Sequence, residues 1–147
     1  MKRTKQLVNT AFFYALLAMA GGVFYREFTK FNGVPGGTSL GFVHGHLFML
    51  GMLFFLVAAL LEERFTLSGS KLFGSFYAVY NIGLLVTAGT FVWRGVLQVL
   101  DSPISKGLDA SISGVAGLGH ILLGAGIVLF FIRLRKRAWK PKKHNAE

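Results

Sequence analysis

Residues 38–61 read TSLGFVHGHLFMLGMLFFLVAALL, a run without a single Lys, Arg, Asp or Glu that stops at the pair Glu62-Glu63. A helix adds about 1.5 Å per residue, so roughly 20 predominantly apolar residues cross a hydrocarbon core about 30 Å thick. The run meets that requirement and carries His44 and His46 inside it. Three further stretches qualify on either side. The sequence therefore predicts an all-α integral membrane protein with four transmembrane helices at about residues 7–25, 38–61, 72–93 and 110–132, each free of charge in its central portion.

Composition agrees with lipid as the solvent. The 147-residue chain is 53% hydrophobic, contains 15 Phe, and has only 16 basic and 6 acidic side chains, which leaves almost nothing for a soluble domain. Residues 1–132 form one expected four-helix transmembrane domain, and 133–147 a polybasic cytoplasmic tail. The start, Met1-Lys-Arg-Thr-Lys5 and an apolar run through Ala18-Met-Ala20-Gly21, has the form of a secretory signal peptide. Its continuation into Val23-Phe-Tyr25 makes it a full span instead.

Orientation follows from the basic flanks, because loops rich in Lys and Arg stay on the cytoplasmic side. Lys2, Arg3 and Lys5 precede the first span, and Arg133, Arg135, Lys136, Arg137, Lys140, Lys142 and Lys143 follow the last. Both termini are expected in the cytoplasm, with the chain in a bacterial cytoplasmic membrane. These flanks account for nearly all of the net charge of +10, so topology and anionic lipid explain it and nucleic acid is not an expected partner. The absence of cysteine excludes disulfides, thiolate-bound metal and covalent CxxCH haem attachment.

The two halves share short words. Phe13-Tyr14-Ala15 and Ala20-Gly21-Gly22-Val23-Phe24-Tyr25-Arg26 match Phe76-Tyr77-Ala78 and Ala88-Gly89-Thr90-Phe91-Val92-Trp93-Arg94. Gly45-His46-Leu47 matches Gly119-His120-Ile121. A parallel repeat of two helical hairpins forming a four-helix bundle is the expected arrangement, with His46 and His120 on equivalent helices in the outer half of the bilayer.

Ionisable residues within a span are costly and point to function. Imidazole is a ligand for haem iron, copper and zinc. Two imidazoles on facing helices suit the opposite axial positions of one haem, and Gly41, Gly45, Gly51, Gly114, Gly117, Gly119, Gly124 and Gly126 supply either room for a flat macrocycle or close helix packing. His44 and His46 lie about 200° apart on a helix, so both cannot readily serve one iron. The repeat favours His46 with His120 as axial ligands, leaving His44 as a supporting donor, an interface residue or a ligand elsewhere; the reverse assignment stays open. Arg26 and Arg94 end the odd spans and are candidate partners for the haem propionates, or snorkel to head groups. Tyr77, Tyr80 and Asn81 are expected mainly to join helices, and Pro35-Gly36-Gly37 and Asp101-Ser-Pro103 mark outer turns. All six acidic residues lie outside the expected membrane core, so no transmembrane carboxylate relay is supported.

Val43-His44-Gly45-His46-Leu47-Phe48-Met49-Leu50-Gly51 resembles the histidine helices of the haem-copper oxidase and nitric oxide reductase superfamily, and the whole chain resembles a family of small uncharacterised four-helix bacterial membrane proteins. The superfamily's catalytic subunits contain three arcs of four helices, so the resemblance implies haem binding and, by analogy, a homo-oligomer such as a trimer, with a dimer also open. The chain departs from that pattern in having no His-His pair for copper and no Tyr near a His, so the resemblance does not imply catalysis by this chain alone. The expected function is a membrane b-type cytochrome holding haem b between the second and fourth helices for electron transfer, haem handling or gas sensing. The alternatives are a copper- or zinc-binding membrane protein or transporter using the three histidines, and a structural subunit.

Overall fold

The computed structural model describes residues 2–139; Met1 and the expected tail residues Lys140, Lys142 and Lys143 lie outside the described residues. Four helices, α1 (Lys2–Phe31), α2 (Gly41–Phe65), α3 (Lys71–Val99) and α4 (Lys106–Ala138), are each long and apolar enough to cross a membrane. The helices outlast the apolar runs because a charged residue ends membrane burial without ending a helix. What ends them is backbone geometry. Gly33 takes a left-handed φ of +65° after α1, and the Val34 N–H closes back on the Thr29 carbonyl. Ser105 starts α4 by accepting a hydrogen bond from the Leu108 N–H, with Asp109 in the first turn beside the positive end of the helix dipole.

The first basic residues of the polybasic stretch after residue 132 continue the last helix. α4 runs through Ala138. Two of these basic residues hold the short loop between α2 and α3: Arg133 Nε donates to the Leu67 carbonyl at 2.6 Å and Arg137 Nε to the Phe65 carbonyl at 2.8 Å. These bonds satisfy carbonyls that the end of α2 leaves without helical partners. The loop needs support, since Thr66 sits at a left-handed φ of 51°, and the Glu62 carboxylate adds a further tie by accepting from the Ser68 N–H at 2.9 Å.

Packing is uneven along the bundle. α1 lies along α2, α3 makes its longest contact with α4, and α2 meets α3 mainly through its Gly41–His46 start. Towards the end that carries the termini, an aromatic core joins all four helices: Tyr14 stacks on Phe55 at 5.8 Å, Phe54 on Tyr80 at 4.4 Å, and Phe76 packs on Phe130 at 5.0 Å. α2 meets α4 chiefly through its Phe54–Phe65 half, so the two helices stand further apart at the opposite end. Small residues set the close approaches. A Cβ added at Gly83 would lie 2.6 Å from the Leu123 backbone nitrogen, one at Gly126 2.8 Å from Tyr80 Cβ, and one at Gly51 2.6 Å from Tyr14 Cβ. The exterior is apolar, with Phe12, Val23, Leu60, Leu118 and Ile121 among its exposed side chains, as a lipid solvent allows.

α2 is not a uniform α-helix. From Leu47 to Leu53 it widens into a π-helical segment that begins directly after His46. Such widening leaves carbonyls poorly served by the helix itself. The buried Tyr80 donates its hydroxyl to the Leu50 carbonyl at 2.7 Å, and Gly51 lets the Tyr14 ring lie against the widened turn. The hydroxyls and amide named from the sequence do join helices: Tyr77 pairs with Thr10 at 2.7 Å, and Tyr14 donates to Asn81 Oδ1 at 2.7 Å.

Candidate functional site

His46 closes the α-helical start of α2, and His120 lies in the middle of α4. Their imidazoles come together where the two helices stand apart, with ring centres 6.4 Å apart and planes at 85°. Phe91 of α3 completes the group, its ring 4.8 Å from that of His46 and 6.1 Å from that of His120. In the sequence Phe91 is one letter of the repeated word Thr90-Phe91-Val92. Nothing in its spacing distinguished it from a lipid-facing phenylalanine.

The two histidines share the same support. Nδ1 of His46 is 2.9 Å from the Phe42 carbonyl and Nδ1 of His120 is 2.8 Å from the Ala116 carbonyl, in each case the carbonyl one turn back. A carbonyl only accepts, so each Nδ1 carries the proton and donates. In the neutral ring that leaves a lone pair on Nε2, the state in which imidazole binds a metal. A carbonyl-anchored Nδ1 also fixes the ring's rotation on its helix.

His44 lies elsewhere. Its Cβ faces Gly22 of α1, and its buried Nδ1 has no hydrogen-bond partner among the described residues. The structure thus separates His44 from the pair, as their angular spacing on the helix requires. Among the described residues no group of three or more His, Cys, Asp or Glu gathers at a spacing that could hold a metal ion.

The glycines divide into two sets. Gly41, Gly51, Gly119 and Gly126 are packing positions, pressed by Tyr25, Tyr14, Thr87 and Tyr80 respectively. Gly45, Gly114, Gly117 and Gly124 face open space, where an added Cβ would meet nothing within 4 Å. His120 is on the open side of α4, flanked by the exposed Leu118 and Ile121. The histidine group is therefore walled by α2, α3 and α4 on one side and open to the outside of the bundle on the other.

The two arginines differ. Arg94 lies one turn beyond Phe91 on α3, and its Nη2 donates to Asp109 Oδ1 at 2.9 Å, to the Asp109 carbonyl at 3.2 Å and to Ser113 Oγ at 2.8 Å. Its side chain is one-third exposed. Arg26 is far more open, at 79% side-chain exposure, with Glu27 3.7 Å away. Neither ends its helix, since α1 continues to Phe31 and α3 to Val99.

A family model described as "Protein of unknown function (DUF2871)" matches residues 4–137. No curated protein and no solved structure matches the chain.

Proposed function

The chain belongs to this family of unknown function, and from its own geometry we propose that it is a small b-type cytochrome of the bacterial cytoplasmic membrane, with one haem held between His46 and His120. The observation that carries this reading is the imidazole pair itself. Two ring nitrogens bound to one metal at roughly 2 Å each put the ring centres about 6 Å apart, close to the separation of His46 and His120. Both Nε2 atoms are left available by the same carbonyl anchor.

The donor set also favours haem over a bare ion. Zinc or copper on protein ligands needs three or four donors, and the described residues gather no such group here. A porphyrin brings its own four nitrogens and asks the protein for two. Haem supplies a one-electron couple when bound. If His46 and His120 both held the group, electron transfer would suit the pair better than gas sensing.

The remaining residues have supporting roles in this reading. The Phe91 ring, 4.8 Å and 6.1 Å from the two imidazoles, lies beside the midpoint between them and must swing aside to admit a macrocycle, and the open positions at Gly45, Gly114 and Gly117 leave room there. Arg94, whose three bonds all run from Nη2, keeps its other guanidinium edge for a propionate, and Arg26 serves the second. Both termini lie in the cytoplasm, because Lys2, Arg3, Lys5, Arg133, Arg135, Lys136 and Arg137 cluster at one end, and the haem then lies towards the outer face. The α1–α2 and α3–α4 hairpins are a parallel repeat. Tyr14 against Gly51 and Tyr80 against Gly126 are matched packing contacts that support it, although the sequence words pair Tyr14 with Tyr77. A homo-oligomer, trimeric by analogy, covers the open side of α4.

Purification after haem-replete expression tests the proposal. A Soret band with a low-spin spectrum is expected from the parent protein and from His44→Ala, while His46→Ala and His120→Ala each lose the low-spin signature. A parent protein with no Soret band would sink the haem reading, and metal analysis of that preparation would then decide for or against copper and zinc.

A further inference from the structure

At the end that carries the termini, a groove of about 650 Å³ opens between α1 and α3. Lys2, Lys5, Gln6 and the exposed Asn9 line its α1 side, the half-buried Thr10, Tyr77 and Asn81 form its floor, and the half-exposed Phe13 and Leu85 close its far end. Lys2, Lys5, Asn9 and Phe13 follow one another at helical spacing along a single stripe of α1. Over some 16 Å of helix rise, the stripe passes from ammonium groups to an amide to an aromatic ring.

We propose that this groove binds the head group of an anionic phospholipid. Polar side chains open to hydrocarbon are costly unless something polar meets them, so an amide and hydroxyl floor on the outside of a spanning bundle calls for a polar occupant. The floor is biased towards donors. Thr10 gives its proton to the Gln6 carbonyl, so Tyr77 donates to Thr10, and Asn81 uses its carbonyl oxygen on Tyr14 and one amide N–H on the Tyr77 carbonyl. The second Asn81 N–H, the amide N–H groups of Asn9 and Gln6 and the two ammonium groups are the donors left for a ligand.

Charge selects the ligand's sign. The groove lining contains two lysines and no carboxylate, whereas a second cavity of about 480 Å³ shares Lys2, Lys5 and Asn9 but adds Glu63. The order along the stripe selects a lipid over a free anion. A phosphate between Lys2 and Lys5 puts its glycerol esters at Asn9 and its acyl chains over Phe13 and Leu85. This site is independent of the haem reading and lies at the other end of the bundle from the histidines.

The test uses the full chain in phosphatidylcholine vesicles with a trace of spin-labelled phosphatidylglycerol or spin-labelled phosphatidylcholine. The immobilised fraction of label is read by electron paramagnetic resonance. We expect severalfold enrichment of phosphatidylglycerol, reduced to within about twofold of phosphatidylcholine by Lys2→Gln/Lys5→Gln and reduced partly by Asn9→Leu, whose exposed position spares the fold. Arg135→Gln/Lys136→Gln removes as much charge at the same end outside the groove and should leave the preference intact. Equal binding of both lipids overturns the proposal, as does loss of preference to the same extent in the Arg135/Lys136 variant. Competition by inorganic phosphate would also overturn it, in favour of a free-anion site.

Discussion

The hydroxyl of Tyr80 on α3 donates a 2.7 Å hydrogen bond to the carbonyl of Leu50 on α2, inside the π-helical segment that starts one residue after His46. The bond ties the one irregular stretch of α2 to the neighbouring helix. It also stands at the junction between the aromatic core and the histidine group, because a change of helical winding after His46 rotates one half of α2 against the other. Tyr80→Phe keeps the ring stacked on Phe54 and removes only the hydroxyl. Such bonds between membrane helices contribute about 1 kcal/mol. The substitution should lower stability by about that much in denaturant titrations in detergent. An unchanged midpoint would mean that the π segment holds itself.

Close packing between α3 and α4 depends on Gly83, where an added Cβ would press on the Leu123 backbone. A backbone cannot turn aside as a side chain does. Gly83→Ala should destabilise the protein by about 1–3 kcal/mol. Gly124→Ala, on the same pair of helices but facing open space, should be neutral or slightly stabilising through helix propensity. Thermal unfolding of the two variants side by side checks the contrast, and equal losses would show that the glycine contact does not govern the packing.

Arg94, one turn beyond Phe91 on α3, is held by Asp109 and Ser113. Partly exposed ion pairs contribute little, about 0.5 kcal/mol, so Arg94→Ala should barely move the unfolding midpoint. If Arg94 also holds a propionate, the same variant should release haem several times faster into an apo-myoglobin scavenger. Asp109→Asn, which removes the competing carboxylate charge but leaves the bonds to the backbone carbonyl and Ser113 Oγ, should slow release. Identical off-rates in both variants would remove Arg94 from the cofactor site.

Arg133 donates Nε to the Leu67 carbonyl in the loop after α2, and Arg137 donates Nε to the Phe65 carbonyl at the end of α2. Arg133→Lys keeps the charge but loses the planar donor directed at Leu67. Amide exchange at Leu67 to Ser70 should speed up several-fold in Arg133→Lys and further in Arg133→Lys/Arg137→Lys, while the amides of Phe54, Phe55, Phe76 and Tyr80 in the aromatic core remain protected. Unchanged exchange in the loop would show that Glu62 alone holds it.

The four spans were legible because lipid imposes one simple rule: a backbone surrounded by hydrocarbon must satisfy its own hydrogen bonds, so length and apolarity alone mark the helices. The residues 38–61 run shows it, as do His44 and His46, whose separation on the helix was readable from their spacing. The link from Arg94 to Asp109 was not, because a salt bridge across a turn depends on where α4 begins. Nor was the π segment, which no propensity in Leu47–Leu53 announces and which packing against Tyr14 and Tyr80 supports.

Sequence by itself determined that this chain makes four apolar helices and that three histidines lie within them, since both follow from composition and local spacing. Only the tertiary structure decided which histidines meet. His46 and His120 approach because α2 and α4 are close at the aromatic core and apart beyond it, and because the same one-turn-back carbonyl anchors each Nδ1. That outcome comes from side chains distant in sequence, Tyr80 against Gly126 and Tyr14 against Gly51 among them, and contacts of that range leave no periodic trace along the chain.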